Sequence, residues 1–346
     1  MARRGDTHRL LRWLWTSRRP EARLARLALL PASTIYRGAM AARAAGYRRG
    51  WLPVRDLPVA SISVGNLTLG GSGKSTIATW VARHYVARGL RPALILPGGS
   101  PADILVQQHA VPSAVVLGGP DPVAAVEQGV TQGAQVVVLD DAYQRLDVHR
   151  DLNLAVVAAE TARAVRWVLP AGPWREGWRA LARADGVIVT RKRAPLDTAQ
   201  AVVGEIERTV QGPVALAYLG LRHLEGLVSG ARQPASVLAG KRVVAASGIA
   251  DPDAFVAQTK ATGAAVQVAT WKDQPEYRDE DVAWLAHAAR RADHVVITEK
   301  DAVKLRDRWP NRVPEPLVAV LELAWEGGGD LIAAALDAVV TPVDRL

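Results

Sequence analysis

An α/β fold with a doubly wound, largely parallel sheet is predicted for this 346-residue chain. Two observations predict it: short apolar runs rich in β-branched residues recur along the chain, and helical patterns alternate with them. The apolar runs are VASISV, PALIL, SAVVL, AQVVVL, LNLAVVA, GVIVT, RVVAAS, AVQVAT, HVVIT and LVAVLEL. The helical patterns include Ser75 to Arg88, Asp251 to Lys260 and Asp279 to Arg290. Strands buried on both faces and joined by helices form right-handed βαβ units.

The first element is a basic segment, residues 1–50, that contains an amphipathic helical pattern. Its apolar arc on a helical wheel consists of Leu10, Leu11, Trp13, Leu14 and Trp15, and its polar arc contains Arg9, Arg12 and Thr16. This pattern is typical of a helix lying in a membrane interface, although a basic helix packed on the protein's own core would show it too. Arginines interrupt the apolar stretch, so we expect neither a signal peptide nor a spanning helix of roughly 18 to 20 apolar residues.

Composition narrows the classes of function. Hydrophobic residues make up 49% and charged residues 22%, which is ordinary for a folded protein and argues against a disordered or fibrous chain. The absence of cysteine excludes disulfides, thiolate zinc sites and a cysteine nucleophile. The net charge of +9 favours an anionic partner, which could be nucleic acid, a phosphorylated metabolite or an acidic lipid surface. No motif that reads nucleic acid is found, so no nucleic-acid partner is expected.

The segment VGNLTLGGSGKST, residues 64–76, has the character of a phosphate-binding loop. In the P-loop pattern G-x-x-x-x-G-K-[ST], backbone N–H groups converge on phosphate oxygens, the lysine reaches the β and γ phosphates, and the hydroxyl holds Mg²⁺. The matching residues are Gly73, Lys74 and Ser75. Thr68 stands at the first glycine position, and Gly70 and Gly71 lie inside the loop. The flanking strand and helix predict a P-loop NTPase-like nucleotide site, with a glycine-rich turn that binds nothing as the alternative.

A pair of acids follows a later strand. The run AQVVVLDDAYQ is an apolar strand that ends in Asp140 and Asp141. A carboxylate at this place can hold Mg²⁺ or orient the attacking group, although paired acids at a strand end often only cap a helix. With a P-loop upstream, the Mg²⁺ interpretation is favoured.

Several segments resemble the tetraacyldisaccharide 4'-kinase family, in the family's order: VGNLTLGGSGKST, LDDAYQRLDVHRDLNLAVV, LPAGPWREGWRAL, ASGIADPDAF and TEKDAVKL. The resemblance extends from the basic N-terminal helix to Leu305, and a threonine at the position of Thr68 is typical of that family. It implies a membrane-associated kinase of lipid A biosynthesis that transfers the γ-phosphate of ATP to the 4'-hydroxyl of a lipid disaccharide 1-phosphate. An anionic membrane surface as partner, and a peripheral location on the cytoplasmic face of the inner membrane, are implied as well.

The resemblance also implies roles for individual residues. The ATP-binding set would be Thr68, Leu69, Gly70, Gly71, Ser72, Gly73, Lys74, Ser75, Arg175 and Glu176. Ser75 and Asp140 would hold Mg²⁺, and Lys74 and Asp141 would act on the transferred phosphoryl group. For Arg175 and Glu176 the alternative is a surface turn after Pro173.

Two domains are predicted beyond the N-terminal segment. The stretch RHLEGLVSGARQPASVLAG, rich in Gly, Ser and Pro, places a hinge at 226–240. The hinge would separate a nucleotide-binding kinase domain at 51–225 from a smaller α/β domain at 241–346, which is expected to close over the acceptor cleft.

The chain departs from the family's pattern on the acceptor side. Ser100 falls where the family has an aspartate, and Gln274 stands in Asp273-Gln274-Pro275-Glu276-Tyr277 where it has a histidine. We hypothesise that Asp141 or Asp273 accepts the hydroxyl proton instead; Asp103 and Glu276 are further acids near the altered segments. A positioned base contributes about 10²- to 10⁴-fold, so a slower kinase is expected. A nucleotide-binding homologue without transfer, and a P-loop ATPase acting on another partner, stay open as alternatives.

Overall fold

A computed structural model describes residues 10–11, 13–17, 19–162, 166–249, 252–271 and 276–340. The strands are β1 (Ala60–Asn66), β2 (Pro92–Pro97), β3 (Val115–Gly119), β4 (Val136–Asp140), β5 (Leu152–Ala158), β6 (Gly186–Arg191), β7 (Val214–Gly226), β8 (Arg232–Pro234), β9 (Arg242–Ser247), β10 (Ala265–Thr270), β11 (His294–Thr298) and β12 (Leu317–Gly327). The helices are α1 (Pro20–Ala28), α2 (Leu30–Arg48), α3 (Lys74–Ala87), α4 (Pro101–Ala110), α5 (Pro122–Thr131), α6 (Ala159–Ala162), α7 (Leu196–Glu207), α8 (Pro252–Ala261), α9 (Asp279–Ala289), α10 (Glu299–Leu305) and α11 (Gly329–Val340).

The chain forms two compact units that are discontinuous in sequence. Unit 1 comprises Met1–Gly98, Val111–Ala217 and Trp325–Leu346, and unit 2 comprises Gly99–Ala110 and Tyr218–Ala324. The predicted linear domains, 51–225 and 241–346, differ from these units because β7 and β12 each contribute residues to both. The segment 226–240, predicted as a hinge, contains β8 and a 3-10 turn, Ala235–Leu238.

Unit 1 contains a parallel sheet with the strand order β6-β5-β1-β4-β2-β3. Its strands coincide with the predicted apolar runs, and β1 is buried at every residue from Ser61 to Asn66. Strands β2 and β3 lie on one side of β1, and β5 and β6 lie on the other. Ligands of open α/β sheets bind at the carboxyl ends of the strands, where the strand order reverses in this way. The predicted α/β fold is confirmed.

Unit 2 contains the parallel strands β10-β9-β11-β12, and β8 pairs antiparallel with the end of β7. Its apolar runs again form the strands. Helix α9 covers part of this sheet with buried Val282, Leu285 and Ala286, which join a core cluster that includes Val244 and Ile297.

The N-terminal helical pattern is divided between core and surface. Leu14 is 8% exposed, and the Trp15 indole N–H donates to the carbonyl of Pro170 over 3.0 Å, so this part packs against the rest of unit 1. Leu10 and Trp13 remain 62% and 37% exposed. Arg9 and Arg12 lie outside the described residues. Within the described part of the chain, no helix combines the length and apolar character needed to cross a membrane.

Candidate active site

The phosphate-binding loop joins β1 to α3 in unit 1. Its turn requires glycine at two positions, because Gly70 has φ +122° and Gly73 has φ +85°, a region that side chains disfavour. Gly73 is the N-cap of α3, and Lys74 and Ser75 begin the helix. The unpaired N–H groups and positive dipole end of a helix N-terminus attract anions. The local backbone is therefore that of a phosphate cradle.

Three neighbouring side chains hold the phosphate loop in place through hydrogen bonds to Ser72 and Gly71. The Asn66 amide donates to the Ser72 hydroxyl over 2.8 Å, and the Thr190 hydroxyl donates to the Ser72 carbonyl over 2.7 Å. The Lys192 ammonium donates to the carbonyl of Gly71 over 2.8 Å. Ser72 is 3% exposed, so its polar groups are satisfied inside the protein.

The segment that contains Arg175 is hydrogen-bonded to the same loop. The N–H of Leu69 donates to the carbonyl of Pro173 over 2.8 Å, and the N–H of Arg175 donates to the carbonyl of Leu67 over 2.7 Å. Thr68 forms a bridge with Trp174, which is 1% exposed. These backbone bonds hold Arg175 beside the phosphate loop.

Lys74, Asp141 and Arg175 converge at one point. The Arg175 guanidinium binds the Asp141 carboxylate through two hydrogen bonds of 2.8 and 3.1 Å, and Lys74 Nζ lies 3.6 Å from Asp141 Oδ2. Asp141 has φ +60°, and its N–H donates to the carbonyl of Val64 over 2.8 Å, which fixes this uncommon backbone conformation. Gln144 accepts a further bond from Arg175 over 3.1 Å. Two cations and an acid are thus held next to the loop.

Asp140 and Ser75 supply the donors expected for a metal ion. Asp140 is the last residue of β4, is 5% exposed, and lies opposite Val64 in the parallel register. Ser75 lies in the first turn of α3. Carboxylate and hydroxyl oxygens are hard donors that suit Mg²⁺. The described residues contain no group of three or more His, Asp or Glu side chains arranged to hold a metal. This donor set fits Mg²⁺ that takes its other ligands from phosphate and water.

Glu176 binds Arg183 and so lies outside the cluster of Lys74, Asp141 and Arg175. Its carboxylate accepts two hydrogen bonds from Arg183, of 2.7 and 2.9 Å, and its side chain is 6% exposed. The Arg183 guanidinium lies 4.8 Å from the Tyr143 ring centroid, and burial raises the pKa of Tyr143. A Cβ on Gly65 would lie 2.7 Å from the Cβ of Tyr143, so the strand before the loop needs glycine there. The geometry gives Glu176 a structural partner, and its predicted contact with nucleotide stays a prediction.

Comparison with known proteins identifies the family. The family model described as LpxK, tetraacyldisaccharide-1-P 4'-kinase, matches residues 25–99 and 102–340. The chain belongs to this family.

Relatives and a solved structure agree with the assignment. The tetraacyldisaccharide 4'-kinase of Geobacter metallireducens is 38% identical over 309 residues, covering 82% of this chain and 88% of the relative. That of Geobacter sulfurreducens is 34% identical, covering 82% and 85%. A crystal structure of LpxK from Aquifex aeolicus in complex with ATP aligns with a TM-score of 0.72 at 20% identity, over 92% of this chain and 100% of that chain. The last comparison shows a shared fold, and the resemblance predicted from the motifs is confirmed.

The family match is interrupted at residues 100 and 101, within the segment that the sequence marked as altered. In unit 2, the Ser100 hydroxyl donates to Asp103 over 2.7 Å, and Lys300 Nζ lies 2.5 Å from the other carboxylate oxygen. Burial alone would raise the pKa of Asp103, but the bonds from Lys300 and Ser100 outweigh it and lower the pKa below its usual value. Asp273 and Gln274 lie outside the described residues.

Asp301 is a buried residue of the TEKD segment, residues 298–301, which follows β11 in unit 2. It is fully buried, accepts from the N–H of Gly248 over 3.2 Å and from the Thr298 hydroxyl over 2.6 Å, and burial raises its pKa. Asp301 thus lies in the first turn of helix α10, where its N–H donates to the Thr298 hydroxyl over 3.3 Å. Asp103 was a predicted candidate, but its ion pair with Lys300 and the bond from Lys192 to Gly71 were not predicted, because contacts between distant segments leave no local pattern. Arg183 was not predicted either, although Glu176 is only seven residues away, because a spacing of seven residues does not make two side chains direct neighbours on a regular helix.

Proposed function

We propose that this protein transfers the γ-phosphate of ATP to the 4'-hydroxyl of tetraacyldisaccharide 1-phosphate and so forms lipid IVA. The observation that carries the proposal is the convergence of Lys74, Asp141 and Arg175 beside the phosphate loop. The names of the relatives, all tetraacyldisaccharide 4'-kinases, supply the acceptor.

The residues of unit 1 account for the handling of the phosphates. The N–H groups of the loop and of the α3 N-terminus bind phosphate oxygens, and Lys74 balances charge on the β and γ phosphates. Arg175 lies close enough to Asp141 and Lys74 to balance charge that builds on the transferred group. Ser75 and Asp140 would hold Mg²⁺, which supplies further charge neutralisation. Phosphoryl transfer passes through a loose transition state, so positioning and charge balance supply most of the acceleration.

The acceptor hydroxyl must lose a proton during transfer, and Asp141 is our candidate to accept it. Its carboxylate is 29% exposed and lies beside the P-loop lysine. Asp273, the second predicted candidate, lies outside the described residues. If Asp141 accepts the proton, Asp141→Asn lowers kcat by about 10²- to 10⁴-fold while ATP still binds. An Asp141→Asn enzyme with unchanged turnover would exclude this role.

We propose a peripheral location on the cytoplasmic face of the inner membrane. The N-terminal region contains many arginines and also exposes several large apolar side chains. The exposed apolar residues are Leu10, Leu24, Leu27, Ile35, Trp51 and Val54. Burying such side chains at a lipid interface, with arginines near anionic headgroups, stabilises binding. The test is co-sedimentation with phosphatidylglycerol and phosphatidylcholine vesicles. Leu24→Glu with Leu27→Glu should release the protein, whereas Leu331→Glu, at a comparably exposed leucine of α11, should not.

The activity is tested with the purified chain, radiolabelled ATP, Mg²⁺ and tetraacyldisaccharide 1-phosphate in detergent micelles. Labelled lipid should form with wild type and with Lys260→Ala, an exposed lysine of α8, and should fall at least 10³-fold with Lys74→Ala. Tight ATP binding by wild type without any labelled lipid would favour the alternative of a nucleotide-binding homologue. That alternative is motivated by Ser100 and Gln274, which stand where the family has an acid and a histidine.

A further inference from the structure

Helix α2 is attached to the turn that precedes Arg175. The Ser33 hydroxyl, in the first half of α2, donates to the carbonyl of Val168 over 3.0 Å and accepts the N–H of Ala171 over 3.0 Å. Ser33 is 4% exposed, so both backbone groups find their partner inside the protein. One serine of the N-terminal region therefore fixes two points of a turn that begins 135 residues away in sequence.

That turn holds the backbone of Arg175. The N–H of Leu169 donates to the carbonyl of Trp174 over 2.8 Å, and Val168 forms a bridge with Trp174. Trp174 is the residue before Arg175 and is 1% exposed. The N–H of Arg175 in turn donates to the carbonyl of Leu67, over 2.7 Å, where the phosphate loop begins. A continuous set of hydrogen bonds thus leads from α2 through the turn to the phosphate loop.

Arg43, in the second half of α2, reaches the same cluster from another direction. Its guanidinium donates to the carbonyl of Gln144 over 3.0 Å and lies 5.1 Å from the ring centroid of Tyr47. The Gln144 side-chain amide donates to the carbonyl of Asn66 over 2.9 Å, and its oxygen accepts from the Arg175 guanidinium over 3.1 Å. Because its carbonyl, its NH₂ group and its side-chain oxygen are all engaged, Gln144 is held in one orientation.

We infer that Ser33 and Arg43 are positioning residues for phosphoryl transfer. Helix α2 sets the place of the Arg175 side chain, since Ser33 acts on the turn before it and Arg43 acts on its guanidinium through Gln144. A loose transition state is stabilised by correctly placed charge, and a displacement of about 1 Å can slow a reaction by about 10²-fold. Loss of either attachment therefore slows transfer although the charged groups themselves remain. The inference rests on the proposed kinase function.

The test measures kcat and KM for ATP with saturating acceptor in detergent micelles. Arg43→Met removes the donor to Gln144 and keeps an unbranched chain. It should lower kcat about tenfold and leave KM for ATP within twofold, because Arg175 is expected to balance charge that builds during transfer. Arg43→Lys keeps a cationic donor for a single hydrogen bond and should recover most of the lost kcat. Arg208→Met, at an exposed arginine of unit 1, is the matched control.

A double-mutant cycle shows whether Arg43 acts through Arg175. In an Arg175→Met background, Arg43→Met should change kcat by less than twofold, because the group that it positions is already absent. A tenfold loss in both backgrounds would show that Arg43 acts independently of Arg175 and would overturn the inference. A wild-type kcat for Arg43→Met would overturn it as well, whether or not Tm falls, because Arg43 would then be only a structural residue.

Hydrogen–deuterium exchange tests the attachment without depending on activity. Ser33→Ala leaves the Val168 carbonyl and the Ala171 N–H without their partner, so the amides of residues 168–175 should exchange at least tenfold faster. Those of helix α5, which packs in a different core cluster, should not change. Unchanged exchange at 168–175 would overturn the inference. A wild type that forms no labelled lipid would instead refute the proposed kinase function, and the exchange result would still decide whether α2 holds the turn.

Discussion

Glu176→Gln separates two roles for one side chain. The family resemblance implies that Glu176 contacts ATP, whereas the structure pairs its carboxylate with Arg183 through bonds of 2.7 and 2.9 Å. Glutamine keeps the shape and one acceptor oxygen but loses the charge and one hydrogen bond. The structural pairing predicts a loss of stability, and an ATP contact predicts a loss of nucleotide affinity.

The expected loss of stability follows from the burial of the pair. Removing one partner of a buried ion pair costs about 3–5 kcal/mol, and a hydrogen bond to a charged group contributes about 1.5–3 kcal/mol. Glu176 is 6% exposed, but Arg183 is 25% exposed, so water recovers part of the solvation of the guanidinium. We expect a loss of about 2 kcal/mol in the free energy of unfolding. For a domain of the size of unit 1, a loss of about 2 kcal/mol lowers Tm by about 4–8 °C.

Differential scanning calorimetry measures the shift, and ATP titration of the same samples measures affinity. Glu207→Gln, at an exposed glutamate of α7, is the matched control and should leave Tm within about 1 °C. Arg183→Met added to Glu176→Gln should cost little more than Glu176→Gln alone, because the pair is already broken. A Tm unchanged by Glu176→Gln together with a raised KM for ATP would refute the structural reasoning and establish a nucleotide contact.

Further predictions concern the strand before the phosphate loop, the proposed Mg²⁺ ligand Asp140 and the segment around Ser100. Gly65→Ala should destabilise unit 1 by about 1–3 kcal/mol, seen as a lower Tm, because its Cβ would lie 2.7 Å from Tyr143. Asp140→Asn should raise the Mg²⁺ concentration for half-maximal kinase activity by roughly tenfold or more, and an unchanged Mg²⁺ titration would exclude it as a ligand. Asp103→Asn should cost about 0.5–1 kcal/mol at neutral pH, since Lys300 is 43% exposed. Folding lowers the pKa of Asp103, so the stability difference between wild type and Asp103→Asn should be constant from pH 8 to 5. It should shrink only as the pH falls below 3.8, the ordinary pKa of an aspartate. Urea denaturation at a series of pH values measures this difference.

The local pattern of the chain was sufficient for most of the fold. The apolar runs correspond to strands, and central strands such as β1 and β4 are covered on both faces, so burial leaves a continuous apolar signal. The edge strand β10 is largely exposed and is apparent in the sequence from its valines. Two strands, β7 and β8, escaped prediction. Polar residues interrupt the second half of β7, at Arg222, His223 and Glu225, and β8 is Arg-Gln-Pro and has no apolar run. The side chains of His223 and Glu225 are hydrogen-bonded to each other over 3.1 Å, so these polar residues are accommodated in a strand although the sequence here is typical of a loop.

The sequence by itself determined the family and the phosphate loop, because phosphate binding needs glycines, a lysine and a hydroxyl at fixed spacing along one short segment. Only the tertiary structure decided which distant side chains support them. Lys192 and Gly71 are 121 residues apart, and Asp141 and Arg175 are 34 residues apart. Such pairs form because strands and loops that are distant in sequence pack side by side. That packing determines which partner a charged residue contacts, so the spacing of residues within one segment cannot predict the partner.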